Sequence, residues 1–90
     1  MKILYRYYLD YGRSGDVDAV FLATEEQYNE ICDRGLYFGE ILGKHSEVYD
    51  REPAENIAEI TRDSAVIEIV EQYNLETGPN PLDYMREAEE

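Results

Sequence analysis

Ninety residues with 43% apolar content, 9 Tyr, 2 Phe and no Trp carry enough hydrophobic material for one modest core, and too much for a disordered acidic chain. Twenty-one acids face eight bases for a formal net charge of -13, which directs the chain toward basic surfaces and away from DNA, RNA and anionic lipid, whose phosphates call for Lys and Arg. The single cysteine, Cys32, excludes an intramolecular disulfide and a cysteine metal cluster, and no run approaches the roughly 20 apolar residues of a membrane span.

In chain order, residues 3–11 alternate with period two: Ile3, Tyr5, Tyr7, Leu9 and Tyr11 point one way, Leu4, Arg6, Tyr8 and Asp10 the other. A turn cluster, Gly12-Arg13-Ser14-Gly15-Asp16, leads to a second apolar run from Val17 to Ala23, so the two runs read as a β-hairpin. Thr24-Glu25-Glu26-Gln27 has the pattern of a capping box, with acids in the first turn where the helix dipole favours them. A short helix over 25–34 follows, with Tyr28, Ile31 and Cys32 at helical spacing and Gly35 as its stop. Leu36 to Leu42 reads as a strand with Gly39 at a bulge, Gly43-Lys44-His45-Ser46 as a turn, and Glu47 to Arg51 as the returning strand. Residues 57–61 read as a further short strand or an extended lead into the last helix. That helix runs over 64–74, with Val66, Ile69, Val70 and Tyr73 as its buried stripe and Ile67 widening it. Asn80-Pro81 is a start signal for a short C-terminal helix.

This order, β-β-α-β-β-α, predicts an α+β fold of two layers: an antiparallel sheet of about four strands with two helices on one face, in one domain spanning residues 1–90. The N-terminal run is broken by Arg6 and Asp10 and is followed by no small-residue cleavage site, so it does not read as a signal peptide. With the lone cysteine, that places the chain in a reducing cytoplasm.

The segment with most resemblance to catalytic machinery is Gly43-Lys44-His45-Ser46-Glu47, which holds the only His beside a hydroxyl, a cation and a carboxylate. Sequence neighbours in a turn seldom converge on one point, and Gly, Ser and solvated Lys and His are what a polar turn uses. A contact loop is the better reading, and a small hydrolase centred on His45 the weaker one. Gly43-Lys44 lacks the glycines and the following helix of a phosphate loop, and Asp16-Val17-Asp18 lacks the spacing of a calcium loop. Cys32 lies on the apolar stripe of its helix, where cysteines are usually inert. No catalytic residue, metal ligand or cofactor is assigned.

The acids are therefore the functional candidates. Residues 1–20 are neutral and the excess begins after the first hairpin, continuing to the end of the chain. The total exceeds the magnitude of roughly 2–8 charges that solubility asks of a small domain, and unneutralised charge costs stability by self-repulsion. Such a surface can fill a basic groove that normally holds nucleic acid, form a charge-steered interface with an Arg-rich protein, or bind divalent cations weakly, in that order of preference. The assigned partner-binding residues are Glu40, Lys44, His45, Glu47, Tyr49 and Asp50 around the second hairpin. Glu68 and Glu71 on the last helix, with Asp83 and Tyr84 beyond it, complete the set. Tyr8, Tyr37, Tyr49 and Tyr84 are the candidate anchors, since tyrosine is enriched at interface hot spots.

In size, acidity, tyrosine content and lack of a catalytic motif, the chain resembles the small acidic counter-defence proteins encoded by phages and mobile elements, of the anti-CRISPR or DNA-mimic type. The resemblance is of type, covers the whole chain and assigns no residue by position. It implies a non-catalytic inhibitor that occupies a basic surface of a nuclease or other nucleic-acid-handling effector in the host cytoplasm. The neutral first hairpin departs from that pattern and implies that a single acidic face acts as the decoy. The alternative from another class is a structural homodimer paired through an exposed edge strand.

Overall fold

The computed structural model of the chain describes residues 1–43 and 47–87. The first hairpin joins β1 (Lys2–Asp10) to β2 (Asp16–Thr24), in register from Lys2 opposite Thr24 to Asp10 opposite Asp16. Its turn is a single 3-10 turn, Gly12–Ser14, closed by the Asp10 carboxylate, which accepts from the Gly12 amide at 2.9 Å. Thr24 then caps α1 (Glu25–Arg34). The Thr24 hydroxyl accepts from the Gln27 amide at 3.1 Å, and the Gln27 side chain accepts from the Thr24 amide at 2.8 Å, which completes the capping box. Gly35 ends the helix with φ of 73°, a conformation that costs glycine little.

β3 (Leu36–Gly39) and β4 (Val48–Asp50) form a separate two-stranded antiparallel sheet, irregular at Gly39 as the strand glycine implied. β5 (Ile57–Thr61) pairs with the free edge of β1, giving a three-stranded sheet in the order β2-β1-β5. α2 (Ser64–Tyr73) starts on Asp63, whose carboxylate accepts from the Ala65 amide at 2.9 Å, and stops at Asn74 in the left-handed region. A bridge between Val20 and Thr77 covers the outer edge of β2. Gly78 permits it, because a Cβ there would collide with the Asp18 carbonyl oxygen. Asn80 caps a last 3-10 turn, Pro81–Asp83, and a bridge between Leu36 and Met85 lays the following residues along β3. No helix among the described residues is long and apolar enough to cross a membrane.

The α+β class holds, but the layering differs from expectation. Odd-numbered residues of the hairpin (Ile3, Tyr5, Tyr7, Val17, Ala19, Phe21) face a main core completed by Ile31 of α1 and by Leu36, Phe38 and Val48 of the second sheet. Even-numbered Leu4 and Leu22 stand opposite each other on the other face and form a second core with Ile67 and Val70 of α2. The helices thus lie on opposite faces of the three-stranded sheet, not together on one. The reason lies in the strands themselves. Leu4, Val20 and Leu22 make the even face apolar too, and each such side chain gains about 1.5–3 kcal/mol when taken out of water.

Candidate partner-binding surface

The site begins with the charges. Among the described residues, Lys2 pairs with Glu71 at 3.5 Å, Arg6 with Asp18 at 2.9 Å, Arg34 with Glu30 at 2.8 Å, and Arg62 with both Glu59 (2.9 Å) and Glu25 (3.3 Å). The hydrogen bond from Arg6 holds the Asp18 carboxyl below the ordinary carboxylate range, and hydrogen bonds to Glu59 and Glu25 push the Arg62 guanidinium up. Lys2, Arg6, Arg34 and Arg62 are thereby consumed by the chain's own carboxylates, and exposed acids such as Glu26, Asp33, Glu52, Glu55 and Glu68 remain. They are not gathered on one side. α1 with Glu26 and Asp33 and α2 with Glu68 lie on opposite faces of the sheet, so the single acidic face expected from the neutral hairpin is not what forms.

The assigned residues divide. Glu40, Glu47, Tyr49, Glu68, Glu71 and Asp83 are exposed. Lys44 and His45, with Ser46, lie outside the described residues. Asp50 is a correction: it is 6% exposed and serves the core. Its carboxylate accepts from the Tyr7 hydroxyl at 2.8 Å, the Asn56 side-chain amide at 2.8 Å and the Glu52 backbone at 3.0 Å. A buried carboxylate must be hydrogen-bonded to be tolerated, and here it joins β4 to β1. Burial, reinforced by Asp50, pushes the Tyr7 hydroxyl far above its ordinary range. Tyr84 is half-buried, its ring packed on Phe38 with centroids 4.9 Å apart at the edge of the core. Among the other tyrosines, Tyr8 is exposed, with the Arg6 guanidinium 5.6 Å from its ring and Asp16 on its hydroxyl. Tyr37 and Tyr49 are a cross-strand pair on the outer face of the second sheet. Cys32 is half-buried on α1, beside the Tyr28 hydroxyl.

The feature that the sequence pattern concealed is on α2. The expected buried stripe was Val66, Ile69, Val70 and Tyr73, but the helix is rotated so that Ile67 and Val70 face the sheet. Val66 is 39% exposed, Ile69 49% and Tyr73 65%. Ile60 on the edge strand β5 and Leu75 just past α2 are similarly open. A signal was present: Val66, Ile67, Ile69, Val70 and Tyr73 cover more of the helix than the single stripe that a two-layer packing buries. The bases on this side, Lys2, Arg6 and Arg62, are already held by carboxylates, so what borders the apolar flank is net acidic, with Asp63 exposed at the start of the helix and Glu68 on it.

Among the described residues, no three of His, Cys, Asp and Glu converge in a way that would hold a metal ion. No protein-family model, curated protein or solved structure matches the chain.

Proposed function

We propose that the protein is a non-catalytic binding protein that docks onto a basic, nucleic-acid-handling protein in the cytoplasm and inhibits it by occupying a surface, in the manner of acidic counter-defence proteins. One observation carries this reading. α2 leaves Val66, Ile69 and Tyr73 in water, and the charges around them are acidic or already neutralised. An apolar centre with an acidic border complements an apolar patch rimmed by Lys or Arg. The carboxylates give orientation and association rate, while the apolar flank gives residence time.

The test is a competition assay. The protein is titrated into purified RNA-guided nucleases and other nucleic-acid-binding effectors, and occupancy of their nucleic acid is followed at low and high salt. Inhibition that weakens at high salt and is lost in Ile69→Ser supports the reading. Inhibition indifferent to both salt and Ile69→Ser, or no competition with any effector tested, removes it.

A second reading rests on β5. Its outer edge has no strand partner among the described residues, and Ile60 is exposed on it, which is the geometry for pairing with a second copy. A net charge of -13 on each chain opposes that association. Light scattering that returns the mass of one chain at high salt, where repulsion is screened, eliminates it.

A further inference from the structure

α2 follows β5 and delivers residues 76–77 to the outer edge of β2, so it crosses the strands on the even face of the sheet. It crosses at the first rows, where Ile67 and Val70 sit on Leu4 and Leu22. At about 100° per residue, Ser64, Glu68 and Glu71 lie to one side of that contact line and Val66, Ile69 and Tyr73 to the other. The acidic side is turned toward the start of β1. Lys2 pairs with Glu71 at 3.5 Å, and a hollow there is lined by Lys2 and Thr24 together with Ser64, Glu68 and Glu71. The apolar side is therefore turned the opposite way, toward the next rows of the sheet: Arg6 with Val20, and Tyr8 with Asp18. Ala58 of β5 stands on the other side of Arg6.

Among the described residues, no element covers those rows. Arg6, Tyr8, Asp18 and Ala58 are exposed and Val20 is half-buried. The second sheet and the residues after α2 that join a core pack on the odd face instead, through Leu36, Phe38, Val48, Tyr84 and Met85. Rows two residues apart along a strand are separated by about 7 Å, and packed helices lie about 8–10 Å axis to axis. A helix laid beside α2 would thus stand between the Arg6 and Tyr8 rows. Val66, Ile69 and Tyr73 would meet its flank, with Tyr8, Val20 and Ala58 beneath it. Stacking of helices on an apolar sheet face is how such faces are closed.

The charges decide which helix fits. Arg6 is occupied: its Nε and Nη2 donate to the two Asp18 oxygens at 3.1 and 2.9 Å, which leaves the centre of these rows neutral. Beyond Tyr8, Asp10 and Asp16 stand directly opposite each other, and like charges so placed cost stability. With Arg13 in the turn between them, that end of the hairpin is net negative. A hydrogen bond to Asp16 holds the Tyr8 hydroxyl above its ordinary range, and Asp10 and Asp18 add to the effect. α2 of a second copy would bring Asp63, Glu68 and Glu71 toward these carboxylates. A helix with Lys or Arg along its polar side relieves the Asp10–Asp16 repulsion instead.

We infer that the open rows beside α2 seat one amphipathic, basic helix of the partner protein. Its apolar side packs on Val66, Ile69, Tyr73 and Tyr8, and its Lys or Arg side chains reach Asp10 and Asp16. This seat rests on the reading of the α2 flank as the docking surface, and adds where on the sheet the partner lies and which element it presents.

Fluorescence anisotropy of the intact protein with a labelled Leu/Lys peptide, patterned as an amphipathic helix of about five turns, tests the seat. The comparison peptides are the same composition scrambled, a Leu/Glu helix of the same pattern, and residues 63–75 of this chain as the stand-in for a second copy. Saturable binding of the Leu/Lys helix is expected, about ten-fold tighter than any of the others. Ile69→Ser and Tyr8→Ser should each weaken it about ten-fold and Asp16→Asn about three-fold, all with unchanged circular dichroism. A loss in Ile69→Ser with Tyr8→Ser and Asp16→Asn indifferent would overturn the seat on the sheet and leave docking on the α2 flank standing. Equal binding of the scrambled peptide, tighter binding of the Leu/Glu helix or of residues 63–75, no saturation in the millimolar range, or an indifferent Ile69→Ser would each overturn the seat, while the competition assay decides separately whether the flank docks. Should a variant fail to fold, amide chemical-shift changes in the unaltered protein decide the matter. Changes centred on Arg6, Tyr8, Val20 and Ala58 together with α2 support the seat, and changes centred on α1 or the second sheet overturn it.

Discussion

The odd face of the first hairpin is covered by α1 and by the β3–β4 sheet, and Tyr7, Ala19, Phe21 and Ile31 there are wholly closed to solvent. The even face is covered, among the described residues, by α2 through Ile67 and Val70, while Val66, Ile69 and Tyr73 of the same helix stay in water. One sheet thus carries a finished core and an unfinished one. Nothing in folding requires an amphipathic helix to keep three large apolar side chains outside, and doing so invites association. The odd face holds the larger core, and the even face leaves open the flank of α2 on which the proposed docking rests.

The contrast can be broken from the odd face first. Phe21→Ala removes a wholly buried ring and should cost about 3–5 kcal/mol, enough to unfold much of a population of small domains, as read by urea denaturation. Ile67→Ala, in the smaller core, should cost about 2 kcal/mol, at the low end for such truncations because a half-open site relaxes more readily. A loss at Ile67 equal to that at Phe21 would mean that the two cores are equally tight.

Tyr7→Phe removes the hydroxyl that Asp50 accepts from and should cost about 1–2 kcal/mol near neutral pH. It also has a pH signature. The Tyr7 hydroxyl is held far above its ordinary value of about 10, so its contribution is complete below pH 10 and is lost as pH rises, when the unfolded chain ionises and the folded one does not. Thermal melts should show a falling alkaline limb that is shallower in Tyr7→Phe. Tyr5 and Tyr28, also raised by burial, keep part of that limb. The smallest effect should come from Ile69→Ser, within about 0.5 kcal/mol of the parent in the same melts, because the side chain is already half in water. A large loss there would show that the α2 flank is structural and not a binding surface.

Much of the local structure was legible. Thr24 and Gln27 specify the start of α1, Gly35 its end, and the alternation of residues 3–11 with the apolar run 17–23 the hairpin. These follow from interactions between near neighbours, which a sequence displays directly. The placement of the assigned partner residues was less legible. Asp50 looked like one more surface acid in an acidic chain, and only the arrival of Tyr7 and Asn56 makes it a buried acceptor.

The sequence by itself determined the mixed α+β class, the helix ends and the large acidic excess. It did so because capping, periodicity and charge are properties of short stretches. The tertiary structure alone decided which half of the apolar surface of α2 is buried, and that the two helices take opposite faces of one sheet. Each of those outcomes depends on segments distant in the chain competing to cover the same apolar faces, and no local pattern records which of them wins.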